Sequence, residues 1–142
     1  MRRDDLTADF DRLCVELVGR TRNANFEPNA DVYADREAGR IVVQVELAGA
    51  DAEHLRVGVD ERHLIILGTR ANRTDATGAI HQKEIQYGEF LKRIHLPWPV
   101  DDANAAAVYR DGILTITLPL AAHEYFPTRR TEIRMIVKRT PV

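Results

Sequence analysis

The chain has one cysteine, Cys14, among 142 residues. A single thiol can form neither an intrachain disulfide nor a cysteine-based zinc cluster, and its scarcity suits a reducing compartment. Long hydrophobic runs are also missing: nothing approaches the ~20 consecutive apolar residues of a membrane span. Met1-Arg2-Arg3 leads into Asp4 and Asp5 rather than into the apolar core of a signal peptide. The expectation is a cytoplasmic protein that does not use a membrane. A net charge of −2 gives no global reason to seek nucleic acid. There is no Gly-x-x-x-x-Gly-Lys-Ser/Thr loop to cradle phosphates, and no nucleophile stands at a credible spacing from a base. His81-x-x-Glu84 is the nearest approach to a ligand pair, but His54, His63, His95 and His123 lie in different segments, so no third ligand can be placed. Neither a cofactor, a metal nor catalysis is expected.

What is present describes an ordinary globular chain, 44% hydrophobic and 30% charged, with room for one core plus tails. Leu6, Phe10, Leu13, Cys14, Leu17 and Val18 recur at three- and four-residue steps. That spacing predicts an amphipathic helix from about Asp5 to Val18. Asp4, Asp5 and Asp9 sit toward its positive end, Arg20 lies near its negative end, and Gly19 can terminate it. The apolar face either packs on its own domain or serves a partner; position alone favours neither. Thr21 to Pro28, with Asn23 and Asn25, reads as a linker.

Everything after the linker is β-like. Asp31 to Ala34 and Arg40 to Leu47 read as strands, and Leu55, Val57 and Val59 alternate with Arg56 and Gly58. Leu64 to Leu67 is a continuous apolar run after an Asp60-Glu61-Arg62 turn. Thr69 to Gly78 is a polar loop, Ile80 to Tyr87 a candidate short strand, and Phe90 to Leu96 alternates up to Pro97. Short strands with no helix between them argue for an antiparallel sandwich. Beyond Pro119 an irregular stretch leads to Glu132-Ile133-Arg134-Met135-Ile136-Val137-Lys138. Extended, it directs Ile133, Met135 and Val137 one way and the rest the other. Arg129, Arg130, Arg134, Lys138 and Arg139 make the tail basic. Tyr125 and Phe126 lie outside this cluster rather than interleaved for base stacking, so a solubilising role is the reading and a nucleic-acid partner is not expected.

The most informative run is Ala107-Val108-Tyr109-Arg110-Asp111-Gly112-Ile113-Leu114, which continues as Thr115-Ile116-Thr117-Leu118-Pro119. Asp-Gly between two apolar-patterned segments is a hairpin signal, because a two-residue primed turn needs positive φ. Leu114, Ile116 and Leu118 then alternate with Thr115 and Thr117 as a half-buried strand does. Upstream stand Glu46-Leu47-Ala48-Gly49, His63 to Gly68, Glu84 with Tyr87-Gly88-Glu89-Phe90, and Leu96-Pro97 followed by Val100-Asp101. From about Asn29 to Pro119 this series resembles the small heat shock protein family. In that family an α-crystallin domain ends in Ala-x-x-x-polar-Gly-hydrophobic-Leu, filled here by Ala107, Asp111, Gly112, Ile113 and Leu114. Ala48 stands where the family has Pro.

The resemblance implies an all-β, immunoglobulin-like antiparallel β-sandwich over residues 29–119, with an N-terminal arm at 1–28 and a C-terminal extension at 120–142. It implies a homodimer made by strand exchange through Ile80 to Gln86, involving Ile80, Gln82, Glu84, Tyr87 and Phe90, and from it higher oligomers. The tail motif of Ile133, Met135 and Val137 would add beside a sheet edge, in a groove placed at Leu55, Val57, Val59, Ala106 and Val108. Those groove residues could equally be plain sandwich core. The implied function is that of an ATP-independent holdase chaperone, with Leu6, Phe10, Leu13 and Leu17 contacting partially unfolded clients. The alternative is an adaptor or co-chaperone of the p23 type that binds one folded partner.

Overall fold

The computed structural model describes residues 3–20, 26–126 and 130–138. Among these residues one α-helix, α1 (Arg3–Arg20), precedes nine strands: β1 (Ala30–Asp35), β2 (Arg40–Glu46), β3 (Arg56–Asp60), β4 (His63–Arg70), β5 (Gly88–His95), β6 (Ala106–Arg110), β7 (Ile113–Pro119), β8 (Arg130–Ile133) and β9 (Met135–Lys138). They form two sheets, ordered β1-β2-β7-β6-β9 and β5-β4-β3-β8. Neighbours run antiparallel except β9, which lies parallel to β6. The sandwich is thus the expected one. The helix extends past both ends of the Asp5-to-Val18 stretch read from spacing, and Asn23 and Asn25 of the linker lie outside the described residues.

Alternation builds the core. Ile41, Val43 and Val45 of β2, Leu114, Ile116 and Leu118 of β7, and Ala107 and Tyr109 of β6 face Val57 and Val59, Leu64 and Ile66, and Phe90 and Ile94 of the second sheet. The inward Tyr109 hydroxyl donates to the Leu47 carbonyl at 2.6 Å. The aromatic body is therefore buried without an orphaned polar tip, and burial pushes the phenol pKa up. Asp111 and Gly112 both have positive φ, 52° and 80°. They form the primed turn between β6 and β7 that the Asp-Gly pair predicts. The two-residue turn between β3 and β4 differs: it has positive φ at Glu61, 53°, but not at Arg62.

Ile80 to Gln86, expected to pair with another copy, forms no strand within its own chain, and Ile80 and Ile85 stand 73% and 60% exposed. Two expectations need correction. Phe90, assigned to the exchanged region, is fully buried, edge-to-face with Phe26 at 5.1 Å, because β5 starts at Gly88 and places residue 90 on its inner face. The tail is not one strand: it bends at Arg134, pairing first with β3 (Val57↔Ile133) and then with β6 (Ala107↔Met135). The bend follows from topology, since β3 and β6 are the last strands of different sheets before the tail adds.

The β6–β7 turn gives a direct check on this architecture. A Cβ on Gly112 would meet Ala48 Cα at 3.0 Å on a backbone at positive φ. Gly112→Ala should therefore lower unfolding free energy by about 1–3 kcal/mol, read as a lower urea midpoint with unchanged m-value.

Candidate functional site

Two apolar surfaces of the sandwich are covered by the chain's own ends. The first is the outer face of the second sheet. Ile65 and Leu67, the outward residues of β4's apolar run, and Leu91 of β5 form a patch that α1 covers with Phe10, Cys14 and Leu17. Phe10 is fully buried, and its ring lies on Gly58 of β3: a Cβ there would stand 2.3 Å from Phe10 Cε1. A glycine inside a strand allows this close approach. Of the residues expected to face clients, Phe10 and Leu17 are buried in the single chain and Leu13 is half-buried. The side chain of Leu6 lies outside the described residues. The helix face thus packs on its own domain, while Val15 and Val18 remain 70% and 49% exposed. Burial also pushes the Cys14 thiol pKa up, which keeps it protonated and unreactive in place.

Charges frame this contact. Arg56 of β3 donates from Nε and Nη2 to the two carboxylate oxygens of Glu132 on β8, at 2.6 and 2.7 Å, and from Nη1 to Asp9 of α1 at 3.2 Å. Hydrogen bonds from Arg56 and then Arg12 hold the Asp9 carboxyl below its usual range, and the Glu132 fork raises the Arg56 pKa. A carboxylate with a depressed pKa contributes to docking above its unfolded pKa, and the contribution is lost as pH falls through the folded value. Arg130 of β8 mirrors Arg56. Its Nη2 donates to Asp60 at 3.0 Å, its Nη1 to the Asp11 carbonyl at 3.3 Å, and its Nε lies 3.4 Å from the Asp11 carboxylate. Sequence reading named Asp9, Asp60 and Arg130 in other roles but did not pair them. The signal was Gly58 between Arg56 and Asp60 on an outward-facing stripe of β3.

The second covered surface is the side where β3 and β6 end their sheets. The groove there, about 650 Å³, is lined by Leu55, Ala52, Ala103 and Ala105 together with the tail residues Ile133 and Met135. Ile133 is buried and Met135 half-buried, and Val137, on the same face of β9 as Met135, also lines the groove but is 42% exposed. Of the expected groove residues, Leu55 lines it and Val57 and Val59 belong to the core. Ala106 is exposed and Val108 half-buried, since β6 directs Ala107 and Tyr109 inward. Arg130 is engaged in the ion pairs above; Arg129 and Arg139 of the basic cluster lie outside the described residues.

The opposite edge is bare. In the single chain β1 pairs on one side only, with β2, and carries Val32 and Tyr33 at 43% and 58% exposure. The 71–87 segment returns to the fold where Arg70 donates to the Gln86 carbonyl at 2.9 and 2.7 Å and to the Ala48 carbonyl at 3.2 Å. Gln82 and Glu84 are exposed and Tyr87 is half-buried beneath Lys83, whose Nζ is 4.8 Å from the ring centroid. Among the described residues no three His, Cys, Asp or Glu converge as metal ligands, and no helix is long and apolar enough to cross a membrane.

Residues 33–134 match the family model described as Hsp20/alpha crystallin family. Small heat shock protein C2 of Rickettsia felis is 28% identical over 139 residues, covering 94% of this chain and 88% of its own. Among solved structures, heat shock protein 16.0 from Schizosaccharomyces pombe superposes with a TM-score of 0.61 at 29% identity, over 68% of this chain and 89% of its own. A small heat-shock protein from Xylella fastidiosa does so with a TM-score of 0.60 at 28% identity, over 75% and 95%.

The glycine beneath Phe10 tests how the helix is seated. Gly58→Ala forces either overpacking, at a cost of about 1–3 kcal/mol, or displacement of the helix. Limited proteolysis within residues 3–20 should become faster while the sandwich stays resistant; unchanged cleavage and unchanged stability would contradict the contact.

Proposed function

Because this chain belongs to the Hsp20/alpha crystallin family, we propose that it is an ATP-independent holdase that acts in the cytoplasm, binding partially unfolded proteins and keeping them from aggregating. The observation that carries this reading is the α1 face. Phe10, Cys14 and Leu17, with Leu13 half-buried beside them, form an apolar stripe held on the sandwich by a contact no larger than one helix face. Partly unfolded proteins expose apolar surface and associate through it. A helix face that can leave its seat on Ile65, Leu67 and Leu91 offers such surface an alternative partner, as does the seat itself. Binding by burial of apolar area needs no nucleotide and imposes no sequence, which suits a broad client range.

Dimerisation by strand exchange completes the proposal. Ile80 to Gln86 of one copy adds to the bare β1 edge of another, where Val32 and Tyr33 are exposed. Main-chain pairing would then cap an edge that is otherwise a template for association, and Ile80 and Ile85 would gain cover. Glu84 and Tyr87 flank the contact. Higher oligomers follow if Ile133 and Met135 occupy a neighbour's groove in place of their own.

The test is light scattering from a heat-denatured model enzyme without ATP. Dose-dependent suppression near equimolar ratio is expected, with most of it lost in Phe10→Ser. Size by light scattering after gel filtration should give a dimer or larger, and the Ile80→Asp, Ile85→Asp double variant should give monomers. A monomeric wild-type chain that suppresses nothing would favour an adaptor of the p23 type instead.

A further inference from the structure

We propose that the N-terminal helix and the C-terminal strand are held down by one shared latch on β3, so that loosening either end loosens the other. The geometry is reciprocal. Arg56 belongs to β3, yet it is gripped from the tail by the Glu132 fork and from the helix by Asp9. Arg130 belongs to the tail, yet it reaches both the helix, at the carbonyl and carboxylate of Asp11, and β3, at Asp60. Between the two arginines lies Gly58, above which helix and tail share one space: a Cβ there would be 2.3 Å from the Phe10 ring and 2.8 Å from the Thr131 carbonyl oxygen. The Arg56 guanidinium also sits 5.5 Å from the Phe10 ring centroid, within cation–π range.

Each end therefore completes the other's seat. When β8 leaves β3, Arg56 loses the two bonds that hold its fork in line for Asp9, and Arg130 is withdrawn from Asp11. When α1 leaves, Arg56 and Arg130 each lose one of two anchors and the side of β8 facing the helix is opened to water. A coupling between two docking equilibria must act equally in both directions. The consequence rests on the chaperone reading above: a tail drawn into a neighbouring subunit's groove would raise the fraction of chains whose Phe10, Leu13 and Leu17 face is free. The latch itself involves no client.

Cys14, buried on the inward face of α1 and the chain's single cysteine, reports helix opening directly. In the full-length protein, Glu132→Gln, a tail substitution of unchanged size, should speed Cys14 labelling by an aromatic disulfide about two- to fivefold, the range expected for a partly exposed ion-pair network. In the other direction, Asp9→Asn should speed deuterium exchange of the amides in residues 130–138 by a similar factor. Arg134→Gln, an exposed tail cation outside the latch, should do neither. If Glu132→Gln loosens the tail while Cys14 labels at the wild-type rate, the latch does not exist. If labelling rises only in step with amide exchange in β2 and β7, opening is global unfolding and the proposal is equally overturned. Neither readout uses a client, so a failure to suppress aggregation would be a separate result.

Discussion

A two-sheet sandwich built from this chain ends both sheets on one side, β3 in one and β6 in the other, and the rest of the structure depends on how those two edges are covered. Open edges present unpaired N–H and C=O groups to any passing strand. Here nine consecutive tail residues, 130–138, pair with both edges in turn by bending at Arg134. Ile133 is buried where the sheets meet, Met135 and Val137 line the groove, and Ile136 on the opposite face is 54% exposed. Covering the edges also brings Glu132 and Arg130 to the outer face of β3, where Glu132 holds Arg56 and Arg130 meets the helix at Asp11.

That outer face explains the composition of β4. A strand in a sandwich ordinarily alternates, yet residues 64–67 are all buried. Leu64 and Ile66 face the core while Ile65 and Leu67 face α1, so the strand is enclosed on both sides and reads as continuous apolar sequence, as two-sided strands do. The helix is therefore part of the packed molecule as well as a candidate binding arm. Its contact is small, framed by partly exposed ion pairs and centred on one phenyl ring over one glycine, which places it among the weaker-held elements of the fold.

Most of the sandwich could be read in advance because each strand carries its own periodicity and each tight turn its own residues. Leu114, Ile116 and Leu118 against Thr115 and Thr117 set one face inward without reference to anything distant, and Asp111-Gly112 set the turn before them. Phe90 was assigned to the dimer region from the resemblance, although its alternation with Ile94 and Leu96 already put it on one face of a strand, the face that proves to be inward. Ala106 and Val108 were misassigned by one position of pleat, which exchanges the two faces of a strand. The tail's bend could not be read, since residues 130–138 show an uninterrupted strand pattern and the reason to bend lies in the separation of two edges.

The sequence by itself determined most strands of the sandwich, the Asp111-Gly112 primed turn, the helical arm and the family signature, because these follow from local spacing and from residues that tolerate particular backbone angles. Only the tertiary structure decided what the ends of the chain do. That Arg56 would meet Glu132 across 76 positions and Asp9 across 47, and that a helix ring would rest on Gly58, are consequences of which strands become neighbours. Charge and size complementarity between distant segments has no periodicity of its own, so it becomes visible only once the chain has brought them together.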